Sequence, residues 1–302
     1  MPVGGYAVAS DTGRRRRRNE DNYVVAPPLF AVADGMGGAQ AGEVASKLAA
    51  SALEGGDSER LHGLERVGAL IQEANRRIYS RASNDPSFSG MGTTMTVALV
   101  EGMTVAIGHV GDSRAYLVRG DSMEQLTEDH SLVNELLKSG RLSEEEAHIH
   151  PQRSVITRAV GTDPDVDVDA FTIEAEEGDV FLICSDGLTD MVDDEDILDV
   201  VDRFRDDLDK AVKGLVQAAN KEGGEDNITA VAFRISAGSG TSSEDTATMP
   251  ALEYDPEPEE KTREYQDGAR PAVAVGSRVR IVFAALVLFL VATAVLIWGL
   301  AR

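Results

Sequence analysis

TTMTVALVEGMTVAIGHVGDSRAYLV, residues 93–118, decides the fold. Three short apolar runs, 93–100, 104–110 and 113–118, are separated by Glu101-Gly102-Met103 and by Gly111-Asp112. Met95, Val97 and Leu99 alternate with Thr94, Thr96 and Ala98, the period of two that marks a strand. Links this short join antiparallel neighbours, because a parallel crossover needs a dozen residues or more. The stretch therefore reads as a meander, which excludes a Rossmann-type alternation of strand and helix. Working outward, strands are expected near 22–33, 180–184 and 227–235, and helices near 41–54, 64–82, 131–139, 194–204 and 207–221. Leu64, Val67, Ile71, Ala74 and Ile78 form one helical stripe, and Leu208, Ala211, Val212, Leu215 and Ala219 another. One-faced helices over antiparallel sheets give an α+β class and a layered sandwich. No repeat is present.

Four aspartates punctuate these runs. Asp34 closes LFAVAD, Asp112 follows TVAIGHVG, Asp186 closes VFLICSD and Asp226 opens DNITAVAF. A carboxylate at a strand end stands at the rim of a sheet, and four such rims are expected to converge on one edge. An all-oxygen cluster suits Mg²⁺ or Mn²⁺. The plain alternative at each position is an ordinary Gly or Asp turn.

Composition narrows the function classes. The formal charge of the 302-residue chain is −23. Residues 237–302 hold 9 acidic and 6 basic side chains, which leaves 43 and 23 in residues 1–236, a net of −20. Such a domain repels nucleic acid, and an aromatic content of 5% gives no base-stacking platform. Cys184 stands alone, so no disulfide framework exists within the chain and a reducing compartment is expected. MPVGGYAVAS has no secretory pattern, and Pro2 excludes the N-myristoylation motif.

Three domains are expected: a globular domain over 1–236, an acidic, Pro-containing linker over 237–280, and a transmembrane helix over 281–301. The last, IVFAALVLFLVATAVLIWGLA, carries no charge and as a helix spans about 32 Å, enough for a ~30 Å hydrocarbon core. Arg278 and Arg280 on its N-terminal side, against Arg302 beyond, place the globular domain in the cytoplasm by the positive-inside rule. The expected location is the cell membrane, with a single pass.

The chemistry-bearing motifs are Arg16-Arg17-Arg18-Asn19-Glu20-Asp21, Asp34-Gly35-Met36-Gly37-Gly38, GMGTT over 90–94, Gly111-Asp112-Ser113-Arg114, HPQR over 150–153, Ser185-Asp186-Gly187-Leu188 and Glu225-Asp226-Asn227. In this order they resemble those of the metal-dependent type 2C protein Ser/Thr phosphatases, the PPM family, and in particular its bacterial membrane-anchored members. The resemblance covers about residues 5–236. It implies a four-layer α/β/β/α sandwich of two antiparallel sheets flanked by helices, and hydrolysis of phosphoserine and phosphothreonine by a metal-activated water, so that neither Cys184 nor a serine is the nucleophile. It further implies two Mn²⁺ or Mg²⁺ ions bridged by Asp34, with the Gly35 carbonyl, Asp186 and Asp226 as further ligands. Glu20 and Asp21 would hold metal waters, and Arg16 would grip the phosphate. Asp112, with Asp186 and the backbone near Ser154, would serve a third ion. The flap beside that ion would begin at His150. Implied substrates are phosphorylated proteins, Ser/Thr kinases among them; nucleic acid is not a partner. The alternatives are a phosphatase dedicated to one anti-sigma-type partner, and a non-catalytic scaffold, which would have lost its metal carboxylates.

Three departures from the family pattern stand out. Met36 replaces a histidine proposed as general acid in many eukaryotic members, leaving His148 and His150 as candidates. Arg14 and Arg15 fall where relatives have apolar residues. With Arg302 as the last residue, no outer sensor domain is expected.

Overall fold

The computed structural model describes residues 2–37, 41–53, 60–143, 146–147 and 150–236. The expected linker, transmembrane helix and His148 lie outside them. Among the described residues, no helix is long and apolar enough to cross a membrane.

The chain runs through β1 (Val3–Asp11), β2 (Asp21–Ala26), β3 (Leu29–Met36), α1 (Ala41–Leu53), α2 (Gly63–Asn84), β4 (Gly92–Thr93), β5 (Met95–Glu101), β6 (Thr104–Val110) and β7 (Arg114–Arg119). It continues through β8 (Ser122–Gln125), α3 (Leu132–Lys138), β9 (Asp169–Glu174), β10 (Val180–Cys184), the single turn α4 (Asp186–Thr189), α5 (Asp194–Arg203), α6 (Leu208–Lys221) and β11 (Ile228–Ile235). One sheet has the order β1-β11-β10-β7-β8; the other has β2-β3-β5-β6-β9, with β4 paired to the end of β3. Every strand pairing is antiparallel.

The expected layers are present because three apolar cores separate them. Between the sheets, Phe30 stacks on Phe233 at 4.3 Å between ring centroids, and Phe181 on Phe233 at 5.1 Å, amid Val32, Ala98, Ile107 and Val231. The second core lies between one sheet and α1 and α2, with Ala45, Ala49, Ile71 and Ile78 facing Val97 and Leu99. The third lies between the other sheet and α5 and α6, where Val201, Val212 and Leu215 meet Leu182 and Ala230. Burying these side chains, each worth ~1.5–3 kcal/mol for a large aliphatic or aromatic group, drives the fold.

Three expectations need correction. The meander does not continue into its third strand: β5 and β6 form a hairpin, but β7 pairs with β10 and β8 in the opposite sheet. Gly111-Asp112-Ser113 is therefore a crossing between sheets and not a hairpin turn. Gly111 takes φ 113°, a left-handed conformation open to glycine, and a Cβ there would press on Thr94 at 2.6 Å. The run 22–33 is two strands that turn at Pro27-Pro28. Finally, β1, β8 and β9 were not expected: Gly4 and Gly5 hide β1, and the half-exposed β9 carries Asp169 and Glu174 at its ends.

Candidate metal centre

Both sheets contribute carboxylates to one end of the sandwich, and this corrects the expectation of a single sheet edge. Asp34 comes from β3, Asp21 faces it across the β2–β3 pair, and Asp112 sits on the crossing between sheets. Asp186 follows β10 and Asp226 precedes β11; because these strands are antiparallel neighbours, the end of one lies beside the start of the other.

The Asp34 main chain is held at three points. Its N–H donates to Thr94 Oγ1 at 2.9 Å, and its carbonyl accepts from Thr93 Oγ1 at 2.7 Å and from the Thr94 N–H at 2.8 Å. The side chain is left to project into the site. Asp21 Oδ2 accepts from Thr229 Oγ1 at 2.6 Å and from Ser185 Oγ at 2.8 Å, which ties one sheet to the other. Asn227 Oδ1 accepts from the Glu20 N–H at 2.8 Å, and Asn227 Nδ2 donates to the Thr12 and Arg18 carbonyls at 2.9 Å each. These clamps were not picked out from the sequence, although Thr93, Thr94 and Asn227 lie inside the quoted motifs. Asn227 stands beside Asp226 in the sequence, but Thr93 and Thr94 lie 59 and 60 residues from Asp34 and carry no such signal.

A cavity of about 750 Å³ opens over this rim, lined by Arg16, Arg17, Arg18, Glu20, Asp34, Gly35, Met36, Asp112, Ser154, Asp186 and Asp226 among others. Of the residues expected to hold metal, water or phosphate, only Asp21, paired with Asp34 across β2 and β3, does not line it. Asp34 lies near enough to Asp21, Asp186, Asp112 and Asp226 for their charges to act on it. Water reaches Asp34 and Asp186 through the cavity mouth, but protein encloses them on every other side. That desolvation, with the neighbouring carboxylates, raises both carboxyls well above the ordinary range. Burial pushes Asp21 up to about 6 against the bonds from Thr229 and Ser185, and pushes Asp112 up to about 7, with Asp129 adding to it. Desolvation raises Glu20 as well, against Arg16.

Acids packed so closely need protons or cations. Asp21 Oδ1, Asp112 Oδ1 and Asp186 Oδ1 are buried and lack a hydrogen-bond partner, an arrangement costly for a plain polar network. All-oxygen donors of net negative charge fit a hard divalent cation. Among the described residues no three His, Cys, Asp or Glu side chains close around a single point. A cation here would therefore take one or two carboxylates, the Gly35 carbonyl and water, as octahedral Mg²⁺ does elsewhere.

Arg16 is the cation that faces the cluster. Its Nη2 meets Asp226 Oδ2 at 2.6 Å. Burial works against its charge, but Asp226, Asp186 and Asp34 outweigh it and raise the guanidinium. On the flap, Arg153 reaches Asp190 Oδ2 at 3.7 Å and Glu225 Oε2 at 3.8 Å, which places Ser154 on the cavity wall. No histidine lines the cavity among the described residues; the His150 ring accepts from the Gln152 N–H at 3.2 Å and so caps its own turn. Cys184 is buried in β10 and its thiol is pushed up to about 12, unfit for nucleophilic work.

Comparison with known proteins bears on this site. The family model described as "Protein phosphatase 2C" matches residues 16–228. The serine/threonine phosphatase stp of Listeria innocua is 41% identical over 231 residues, which is 73% of this chain and 91% of that protein. The crystal structure of the Mycobacterium tuberculosis serine/threonine phosphatase PstP/Ppp superposes with a TM-score of 0.72 at 39% identity, covering 77% of this chain and 99% of that one. The catalytic domain of PstP solved in complex with 2 manganese ions gives 0.70 at 38%, covering 77% and 98%. With most of its globular part matched at this level, the chain belongs to the protein phosphatase 2C family and is a protein serine/threonine phosphatase.

Proposed function

We propose that the chain hydrolyses phosphoserine and phosphothreonine in proteins at a binuclear Mn²⁺ or Mg²⁺ centre held by Asp34, the Gly35 carbonyl, Asp186 and Asp226. The two manganese ions of the solved relative support a two-ion centre. The single observation that carries it is the close-packed, enclosed carboxyl cluster with unpartnered oxygens, facing Arg16 across one cavity. When bound, such ions lower the pKa of water and offset charge on phosphate. The chain's own groups do the rest. Arg16 offers a guanidinium fork to the phosphoryl oxygens, and exchanges Asp226 for the substrate as it does so. Asp21 and Glu20 hold water against the cluster. The walls around Asp34 and Asp186 limit access to bulk water and so strengthen every charge interaction inside. Asp112, with Asp186 and the Ser154 backbone, supplies a third cation position. Met36 has no proton to give, so the leaving oxygen takes its proton from water or from another residue.

The apolar run 281–301 extends this reading to location: a single-pass membrane anchor, with the domain on the cytoplasmic side and the linker 237–280 between them. Membrane Ser/Thr kinases and their phosphorylated targets are then the substrates within reach.

The test is hydrolysis of para-nitrophenyl phosphate with added Mn²⁺. Turnover is expected, with loss on chelation and loss in Asp34→Ala and Asp186→Ala proteins that keep the wild-type circular dichroism. Arg16→Ala is expected to raise KM more than it lowers kcat. Undiminished turnover in either aspartate variant would remove the metal assignment.

A further inference from the structure

The run Arg14–Arg18 supplies more positive charge than one phosphate needs. Its members part company in the structure. Arg14 donates its N–H to the Gly224 carbonyl at 2.7 Å, Arg15 Nη2 meets Glu225 Oε1 at 3.0 Å, and neither side chain lines the cavity. Arg16 turns inward to Asp226. Arg17 and Arg18 remain at the cavity mouth. Arg18 Nη1 is 3.6 Å from Glu43 Oε2 and both side chains are about half exposed, so the pair is weak. Arg17 is exposed and makes no ion pair among the described residues.

Two weakly engaged guanidinium groups thus stand beside the catalytic cleft of an otherwise acidic domain. Arg17 and Arg18 line the same cavity as Arg16, which suits a peptide. Consecutive Cα atoms lie ~3.8 Å apart along a chain. With a phosphoresidue held at Arg16, the side chains one to three positions away therefore fall within reach of Arg17 and Arg18. The geometry points to a subsite there for an anionic side chain flanking the phosphorylated residue, so that the preferred substrates are phosphopeptides with acidic neighbours. This inference rests on the phosphatase reading above and names the substrate class of that site. It runs against the field of the whole domain, which favours basic peptides.

The experiment compares three phosphothreonine peptides, flanked on both sides by Glu, by Ala or by Lys, with para-nitrophenyl phosphate as the control for chemistry. The wild-type chain at low salt is expected to favour the Glu peptide over the Ala peptide by about fivefold in kcat/KM, the scale of one or two exposed ion pairs. The gain should sit in KM and shrink as salt is raised. The double variant Arg17→Gln, Arg18→Gln is expected to bring the two peptides level while para-nitrophenyl phosphate turnover stays unchanged. Equal use of Glu and Ala peptides by the wild type, a preference for Lys, or a Glu preference that survives in the double variant overturns the subsite while the phosphatase reading stands. Failure of the wild type to hydrolyse para-nitrophenyl phosphate sinks both.

Discussion

Asp21 and Asp34 face each other across a strand pair, and the charge of Asp186 acts on Asp34 as well. In the metal-free protein these acids hold protons that the unfolded chain would release. Folding therefore binds protons between the ordinary carboxylate value of 3.8 and the raised values, about 6 for Asp21 and about 7 for Asp112. With more protons on the folded state, stability falls as pH rises through that window. Divalent cations take the place of those protons, so their stabilisation grows over the same range. A whole unit of such a shift is worth ~1.4 kcal/mol, or about 3–6 °C in Tm for a domain of this size. Thermal melts from pH 5 to 8 should show the chelated protein losing Tm while the Mg²⁺-loaded protein does not, the gap widening with pH. A gap that is flat with pH would contradict the placement of these acids around a cation. From sequence, Asp34, Asp112, Asp186 and Asp226 were legible because each interrupts or borders an apolar run. The hydroxyl clamps on Asp21 were not, since Ser185 and Thr229 lie 164 and 208 residues away from it and only the packing of two sheets joins them.

At the scale of elements, α1 sets the position of the Gly35 carbonyl. Its inner face is made of small residues, Ala41, Gly42, Ala45, Ser46 and Ala49, which let the helix backbone approach β3 closely. A Cβ on Gly35 would overlap the Gly42 carbonyl, and one on Gly42 would lie 2.7 Å from the Gly35 carbonyl and overlap Glu20 Oε2. Two effects compete in Gly42→Ala. Helix propensity favours alanine by up to about 1 kcal/mol, less at the second residue of a helix, while overpacking costs about 1–3 kcal/mol. Overpacking should win, because the Gly35 carbonyl is main chain and cannot swing aside as Glu20 does. The variant is expected to melt lower and to require more Mn²⁺ for half-maximal turnover; an unchanged Mn²⁺ requirement would show that α1 does not place that carbonyl. The glycines of the DGMGG motif were visible as a possible close approach, but what approaches was not, because α1 begins after the motif and only its packing brings Gly42 back. The path from β6 to β7 was illegible for a similar reason. Both strands are buried on both faces, so alternation carries no information on which sheet receives the second.

For the whole molecule, the two ends of the described chain close the domain on itself. β1 pairs with β11 from Val3↔Ile235 to Asp11↔Ile228, and the Ser236 N–H donates to the Pro2 carbonyl at 2.7 Å. The family match, residues 16–228, takes in neither strand beyond its first residue. β11 is nonetheless central: it lies between β1 and β10, and its Phe233 stacks between Phe30 and Phe181 in the inter-sheet core. Removing it would open that core, and losing a single buried aromatic already costs about 3–5 kcal/mol, within reach of the ~5–15 kcal/mol that holds a typical domain together. The domain boundary at 236 read from composition and the boundary of the family match thus make opposite predictions. A fragment of residues 1–236 should be soluble, melt in one cooperative transition and turn over para-nitrophenyl phosphate with Mn²⁺ at the kcat of the full chain, while staying free of lipid vesicles to which the full chain is expected to bind. A fragment of residues 16–228 should be insoluble or melt without cooperativity. A folded, active 16–228 fragment would mean that the closing strand pair is dispensable, and an inactive 1–236 fragment would mean that the linker or the apolar run contributes to the site and is more than a tether.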